Sequence, residues 1–525
     1  MPNIALLTSS PALDQAFDFM RTSSLRLLLI PLLWITHTVF SLAQPLNIAW
    51  QGLPSSYNDT RNWNITGQGD HGLWIRLKRK QDQRLEYRNL RLQLQQAITL
   101  PSYLNQTGLI HVLKTDTGTQ LVFDLIRADA GDHGLFISKI PKDSSKIDPA
   151  KLLFETTEND KNQILDFKLI KNRNHPNRPE SQNDCIIHSS LSRNDFVLKY
   201  RRIDRDTGQP QTYTLTLNAA TLGLQQNIIL TEVMELTKIQ DDMFGFLFQY
   251  RASSKDRKKT LWGLGIANFK EHLMVAISLN RYGIDDQMLH IDPTTNQDSL
   301  SIHGYVMDER NKWPFGSITY RLRLPYQNTL VEPVSQVYPF PKETNQQLLN
   351  LKINEGNVSN RFDESYSKLH IHEDQSSTLF WRRRYKSSET LVQYSQGMPM
   401  YREIIRYHAN EWVITHLDQD GTPLWHQIVP MNLTINDRNY PLETHTQVVG
   451  QAMLLVGYQN MNNRVSPFVL QVLPDGRVIN PDTGNRLKGQ SPKWSGLYGI
   501  DANNSVVPSR SNGREGLLYL HFARP

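Results

Sequence analysis

Alternating apolar and polar residues, interrupted by turn formers, dominate most of this chain, and few stretches keep a helical period. Leu73-Trp74-Ile75-Arg76-Leu77-Lys78 alternates after Trp74, as a half-buried strand does. The same grammar recurs in Asp195 to Tyr200 with Gln211 to Leu217, and in Phe244 to Tyr250 with Leu261 to Ile266. It continues in Ser317 to Leu324, then in Thr378 to Tyr385 with a return at Leu391 to Tyr394. Trp412 to Leu417 runs through Asp418-Gln419-Asp420-Gly421 and returns at Leu424 to Ile428. Phe468 to Leu473 runs through Pro474-Asp475-Gly476 and returns at Arg477 to Ile479. Gly supplies the positive φ that such turns need, and Asp bonds back to the backbone.

Hairpins therefore open near residues 73, 135, 195, 244, 317, 378, 412 and 468. The interval from 378 to 412 is too short for four strands, so those two hairpins are expected to share one sheet. One phrase recurs nearly intact. Gly69-Asp70-His71-Gly72-Leu73-Trp74-Ile75 returns 62 residues later as Gly131-Asp132-His133-Gly134-Leu135-Phe136-Ile137. Such an echo marks an architecture that stacks one small unit repeatedly. The expectation is an all-β protein, a β-propeller of four-stranded antiparallel sheets, with seven blades favoured and eight next. Leu517 to Phe522 is expected to complete the first blade and close the ring, removing exposed edges.

The N-terminal 43 residues depart from this pattern. Leu27 to Phe40 is a mostly apolar run of 14 residues, flanked by Arg21 and Arg26 before it and Ser41-Leu42-Ala43 after it. Those are the three parts of a secretory signal peptide, and as a helix the run rises only about 21 Å. Residues 1–43 are read as that signal, and 44–525 as one propeller domain with a polar insertion around 342–374. No later apolar run is long enough for a spanning helix. Cys185 is the only cysteine, so no internal disulfide and no lipid-bearing cysteine at the cleavage site exist. Export without disulfides points to the periplasm or surface of a Gram-negative bacterium. The net charge of +6 is compatible with anionic partners and demands none.

Asp116-Thr117-Gly118, Asp206-Thr207-Gly208 and Asp482-Thr483-Gly484 each sit between strands. With Ile203-Asp204-Arg205 and Ile479-Asn480-Pro481 ahead of the last two, they resemble the turn of the bacterial quinoprotein-type propeller repeat. The Trp412 to Trp425 hairpin is similar to other exported bacterial repeats ending in Asp-x-Asp-Gly-x-x-x-Trp. The resemblance implies propeller geometry. The Trp that follows the turn in the quinoprotein repeat is missing after all three copies, so no cofactor is expected.

Candidate chemistry is sparse. His370 and His372 would project from one strand face with Glu373 following, a possible metal pair without an identifiable third ligand, and a solvated strand edge explains them better. Asp70-His71 and Asp132-His133 could be acid–base pairs, but their recurrence fits a structural turn. Trp381, Arg382, Arg383, Arg384 and Lys386 combine charge with aromatic surface and could hold an anionic glycan. Gly-x-Ser-x-Gly, the phosphate-binding loop, His-Glu-x-x-His and Cys-x-x-Cys are all absent.

The expected function is a non-catalytic binding or scaffolding module of the envelope, a monomer whose partner is a protein or an anionic glycan rather than nucleic acid. The alternative is a glycan-active hydrolase or lyase, or a degenerate quinoprotein-type enzyme, on the same fold. Asp14 and Asp18 lie where a signal should be basic, whereas translation from Met20 places Arg21 and Arg26 directly before the apolar run. Intact mass of the unprocessed precursor is expected to show a start at Met20; a precursor beginning at Met1 overturns this.

Overall fold

The computed structural model describes residues 46–522 apart from short segments and loops, the longer being 54–61, 105–109, 157–163, 171–184, 204–209, 219–228, 252–260, 280–286, 293–298, 308–312, 325–332, 355–363, 436–444 and 480–486. Its described strands form antiparallel sheets that follow one another along the chain. We number them I (62–100), II (110–156), III (164–218), IV (229–278), V (287–339), VI (364–435), VII (445–479) and VIII (490–522, plus Leu46–Gly52). Six are plain four-stranded sheets, and VI and VIII each carry a fifth, short strand. The all-β propeller of small antiparallel sheets is therefore present, with six plain four-stranded blades among the described residues rather than the seven expected first or the eight expected next.

Neighbouring sheets bury their faces on each other. Trp74 and Leu85 of sheet I pack with Leu121, Phe123 and Phe136 of sheet II. Leu198 of sheet III joins Phe244, Phe246 and Phe248 of sheet IV. Leu264 and Ile266 of IV meet Ile302 and Ile318 of V, and Tyr305 of V meets Trp381 and Val413 of VI. Phe380 and Trp412 of VI meet Met453 and Phe468 of VII, and Leu454 and Val456 of VII meet Val507 and Leu518 of VIII. Leu73 and Ile75 of sheet I pack on Val506 and Leu517 of sheet VIII. The first sheet thus rests on the last.

Closure runs the opposite way from expectation. The strand Leu46–Gly52 pairs along its whole length with Arg514–Phe522, so the first described strand completes the last sheet rather than Leu517 to Phe522 completing the first. The first and last described strands are thereby tied into one ladder, which blunts the edge.

The repeated phrase also takes a different place. In sheet I, Asp70 and His71 fall between Asn62–Gly69 and Gly72–Arg79, which pair from Gly69 to Gly72; the two residues themselves lie outside the described ones. In sheet II, Asp132 and His133 are already inside the strand Asp132–Ile140, paired to Arg127 and Ile126. The phrase opens a second strand in one sheet and a third strand in the next, so the two copies run in opposite directions relative to their inner strands. It echoes turn chemistry, not a shared register.

Sheet VI departs most from the plain meander. Ser377–Ser395 and Met398–Leu417 pair almost throughout, giving a hairpin whose outer part extends roughly 35 Å at about 3.4 Å per residue. Leu391 to Tyr394, expected as a return strand, continues the outgoing one. The hairpins opening near 378 and 412 do share this sheet, as their spacing required. The insertion expected over 342–374 is part helix, Lys342–Asn354, and part strand, because Glu364–Ile371 is the inner strand of sheet VI.

Leu518 is 1% exposed and sits in the cluster that joins sheets VII and VIII. Leu518→Ala is expected to cost about 2–5 kcal/mol of unfolding free energy, read from the denaturant midpoint. An unchanged midpoint would show that the closing sheet contributes little.

Candidate functional site at the inner strands

The first strand of a sheet pairs on one edge only, so inner strands meet inner strands of neighbouring sheets around the axis. Side chains on those strands alternate between the preceding and the following sheet. Glu235 on Ile229–Gln240 (sheet IV), His290 on Gln287–Asp292 (V) and Ser367 on Glu364–Ile371 (VI) meet in this way. His290 Nδ1 lies 3.0 Å from Glu235 Oε2, and its Nε2 lies 3.0 Å from Ser367 Oγ. The side chains of His290 and Glu235 keep 17% and 25% of their exposure, so the chain of contacts is sheltered but reachable.

The next residues face the other way. Lys368 Nζ donates to the Thr446 carbonyl of sheet VII at 3.2 Å, and His370 Nε2 meets the Thr446 hydroxyl. Inner strands of four consecutive sheets are thus stitched by a carboxylate, two imidazoles, an ammonium and two hydroxyls. An arrangement of this kind can hold a polyhydroxylated ligand and can move a proton through His290.

His372 does not join His370. Its Nε2 contacts Thr378 Oγ1 at 2.9 Å, and the same hydroxyl contacts His416 Nδ1 at 2.8 Å. The His416 ring stacks on Trp425, whose indole N–H donates to the Pro474 carbonyl of sheet VII at 2.8 Å. Burial pulls His372 down to about 4, with nearby His416 adding to the shift against the opposing pull of Asp374. Burial likewise lowers His416. For Asp374 burial works upward, but the Ser376 hydroxyl and N–H hold its carboxyl below the usual range. Among the described residues no group of three His, Cys, Asp or Glu could hold a metal, and Glu373 lies outside them.

The basic cluster expected as a contact surface is largely interior. Trp381, Arg382 and Arg383 are at most 1% exposed, while Arg384 and Lys386 are half-buried. Arg382 stacks over Trp412 and donates to the Ala409 carbonyl at 3.0 Å. Arg383 lies over Trp313 and Tyr385. Burial and the neighbouring Arg384 lower Arg382 to about 9, against the pull of Glu411, so it stays charged at neutral pH. A register shift between Arg382 and Arg384 accommodates these cations where the blade gives way to its long hairpin. Consecutive arginines read as solvated in sequence because cation–π partners across sheets are not visible there.

The Asp-Gly turns behave as expected. Gly421 and Gly476 have φ of 71° and 85°. Asp418 Oδ1 accepts from the backbone N–H of Asp420 and Thr422, and Asp475 Oδ1 accepts from that of Arg477.

No protein-family model and no curated protein matches the chain. Among solved structures, the polysaccharide lyase Uly1 is similar at 9% identity, with TM-score 0.40 over 92% of this chain and 100% of that one. The α-L-arabinanase of Penicillium chrysogenum, at 9% identity and TM-score 0.29, covers 69% of this chain and 93% of its own. The Nup133 β-propeller domain of Vanderwaltozyma polyspora, at 8% identity and TM-score 0.25, covers 74% and 98%.

Because the folded state resists protonating His372, the unfolded chain binds more protons than the native one between about pH 6.5 and pH 4. Its contribution is complete above pH 6.5 and is lost as pH falls toward 4, roughly 3 kcal/mol in all. His372→Gln keeps a hydrogen-bonding group for Thr378 and is expected to flatten the fall in melting temperature between pH 7 and pH 4.5. An identical fall in the variant would place the sensitivity elsewhere.

Proposed function

We propose that this is an exported, glycan-active enzyme whose site lies on the inner strands of sheets IV to VII. The observation that carries this reading is the pair of polar links on those strands, Glu235–His290–Ser367 across sheets IV to VI and Lys368 and His370 with Thr446 across VI and VII. A ring that only scaffolds needs no carboxylate–imidazole–hydroxyl chain at its inner edge, and apolar contacts would link the blades at less desolvation cost. Polar groups facing alternately into two inter-sheet clefts suit a ligand made of hydroxyls. The positive net charge and the cation at Lys368 favour an anionic glycan.

Export rests on the signal-like segment within residues 1–43, and the setting we propose is the periplasm or the cell surface. The second reading, a binding module without catalysis, would use the same inner face, and the basic composition favours it equally. Product formation separates the two.

Affinity electrophoresis of residues 44–525 in gels cast with neutral and anionic polysaccharides is expected to show retardation by an anionic one. Lys368→Ala should weaken that retardation about tenfold, the effect of removing one charge-assisted hydrogen bond. Retardation with no product by reducing-end, unsaturated-sugar or ester-release assay leaves the binding module. No retardation by any glycan overturns the glycan reading.

A further inference from the structure

We infer that Ser367, His290 and Glu235 form a serine-hydrolase triad, and that its substrate is a carboxylic ester carried on a glycan. The ester chemistry rests on the geometry alone; the glycan carrier rests on the function proposed above.

The roles follow from which nitrogen faces which partner. Glu235 accepts the Nδ1 proton and fixes the imidazole tautomer that leaves Nε2 free to accept from Ser367 Oγ. Each separation is 3.0 Å, within reach for a nucleophile, its base and the group that orients the base. A register shift between Val233 and Glu235 sits immediately before the carboxylate, and such irregularities re-aim side chains at the rims of sheets. The residues are 55 and 77 positions apart along the chain, so three separate blades supply them.

A second acid–imidazole–hydroxyl chain in the same molecule shows what a structural version looks like. His303 contacts Asp292 at 3.3 Å and Thr319 Oγ1 at 3.1 Å, and all three are buried. The Thr319 hydroxyl is committed, donating to the Gly421 carbonyl at 2.8 Å, so it locks the Asp-Gly turn of sheet VI. Ser367 has no such second acceptor among the described residues, and its half-buried position leaves it open to a substrate. The Ser367 chain is poised where the Thr319 chain is spent.

An oxyanion needs donors that are already in place. The strand Glu364–Ile371 pairs with Ser377–Ser395 on one side only. On its other edge, alternate backbone N–H groups point toward the axis, at Ser367 itself or at the residues flanking it.

The reaction balances without a cofactor. Ser367 Oγ bonds to the ester carbonyl carbon as its proton passes to His290 Nε2. The C–O bond to the sugar oxygen then breaks, and His290 returns the proton to that oxygen. Water attacks the acyl-serine, giving a proton to His290; the carboxylic acid leaves as Ser367 Oγ recovers a proton. Glu235 is a positioning residue and does not itself change protonation state.

The test uses residues 44–525. A fluorophosphonate should phosphonylate Ser367 with loss of fluoride, located by peptide mass spectrometry, and p-nitrophenyl acetate should be hydrolysed. Ser367→Ala should abolish the adduct and cut hydrolysis at least about 100-fold, and His290→Gln should do the same. Glu235→Gln should lower kcat about 100-fold or more with KM within about twofold, a split that a merely structural link between blades would not give. Acetate release from an O-acetylated anionic polysaccharide tests the carrier.

An unmodified Ser367 with glycan retardation intact overturns the triad alone. An adduct and ester hydrolysis without glycan retardation keep the triad and overturn the carrier. If Ser367→Ala melts as the parent does and still hydrolyses the ester at the parent rate, the assignment fails.

Discussion

Everything in this molecule depends on a four-stranded sheet being too small to stand alone. One such sheet has two apolar faces and almost no interior, so it must be covered on both sides. The chain solves this by repetition: among the described residues, sheets I and II and sheets III to VIII pack in succession, and Leu73, Ile75, Val506 and Leu517 join the last to the first. Ring closure is not decoration on this scheme. Without it, the two sheet faces that carry these residues would lie open to water, and burying one Leu, Val or Phe is worth about 1.5–3 kcal/mol. The pairing of Leu46–Gly52 with Arg514–Phe522 adds a hydrogen-bonded closure to the hydrophobic one, since opening the ring there requires breaking a continuous ladder.

That architecture decides where polar chemistry can go. Across the middle of each blade the side chains are spent on the inter-sheet clusters, and a polar group there is desolvated along with them. Tyr305 is an example: its hydroxyl reaches the Leu379 carbonyl and Thr415 of the next sheet, and burial pushes its ionisation well above the usual range. The inner strands are different. They have one free edge, they converge, and their residues reach across to two neighbours at once. Glu235, His290, Ser367 and Lys368 are therefore brought together by ring geometry, and held in place by clusters further out that have no part in the chemistry.

Much of the local structure was legible in the sequence because it rests on local causes. Asp418 with Gly421 and Asp475 with Gly476 announce their hairpins through turn chemistry alone. The short interval between hairpins near 378 and 412 correctly implied one shared sheet. What failed was whatever depended on another blade. Arg382 and Arg383 look like surface charge until Trp412 and Trp313 arrive from elsewhere in the chain. The Asp-His phrase looked like a repeat in register, yet it opens different strands in sheets I and II. The triad was invisible for the same reason. Its one sequence signal is weak: His290 interrupts Met288-Leu289-His290-Ile291 on an otherwise apolar strand, and Ser367 precedes Lys368 in a short alternating run.

The two acid–imidazole–hydroxyl chains show how little separates structure from chemistry in such a ring. Both bridge strands, both use the same three functional groups, and both have distances near 3 Å. Between Asp292, His303 and Thr319 the third group already has an acceptor and no water can enter, so the chain serves only to fix a turn of the next sheet. Between Glu235, His290 and Ser367 the third group ends at an inner edge. Desolvation makes the first arrangement inert and partial exposure makes the second usable, because a nucleophile needs a hydroxyl whose lone pairs are not already claimed. Whether the hydroxyl is already bonded elsewhere, more than residue identity, therefore sets which of the two can act on a substrate.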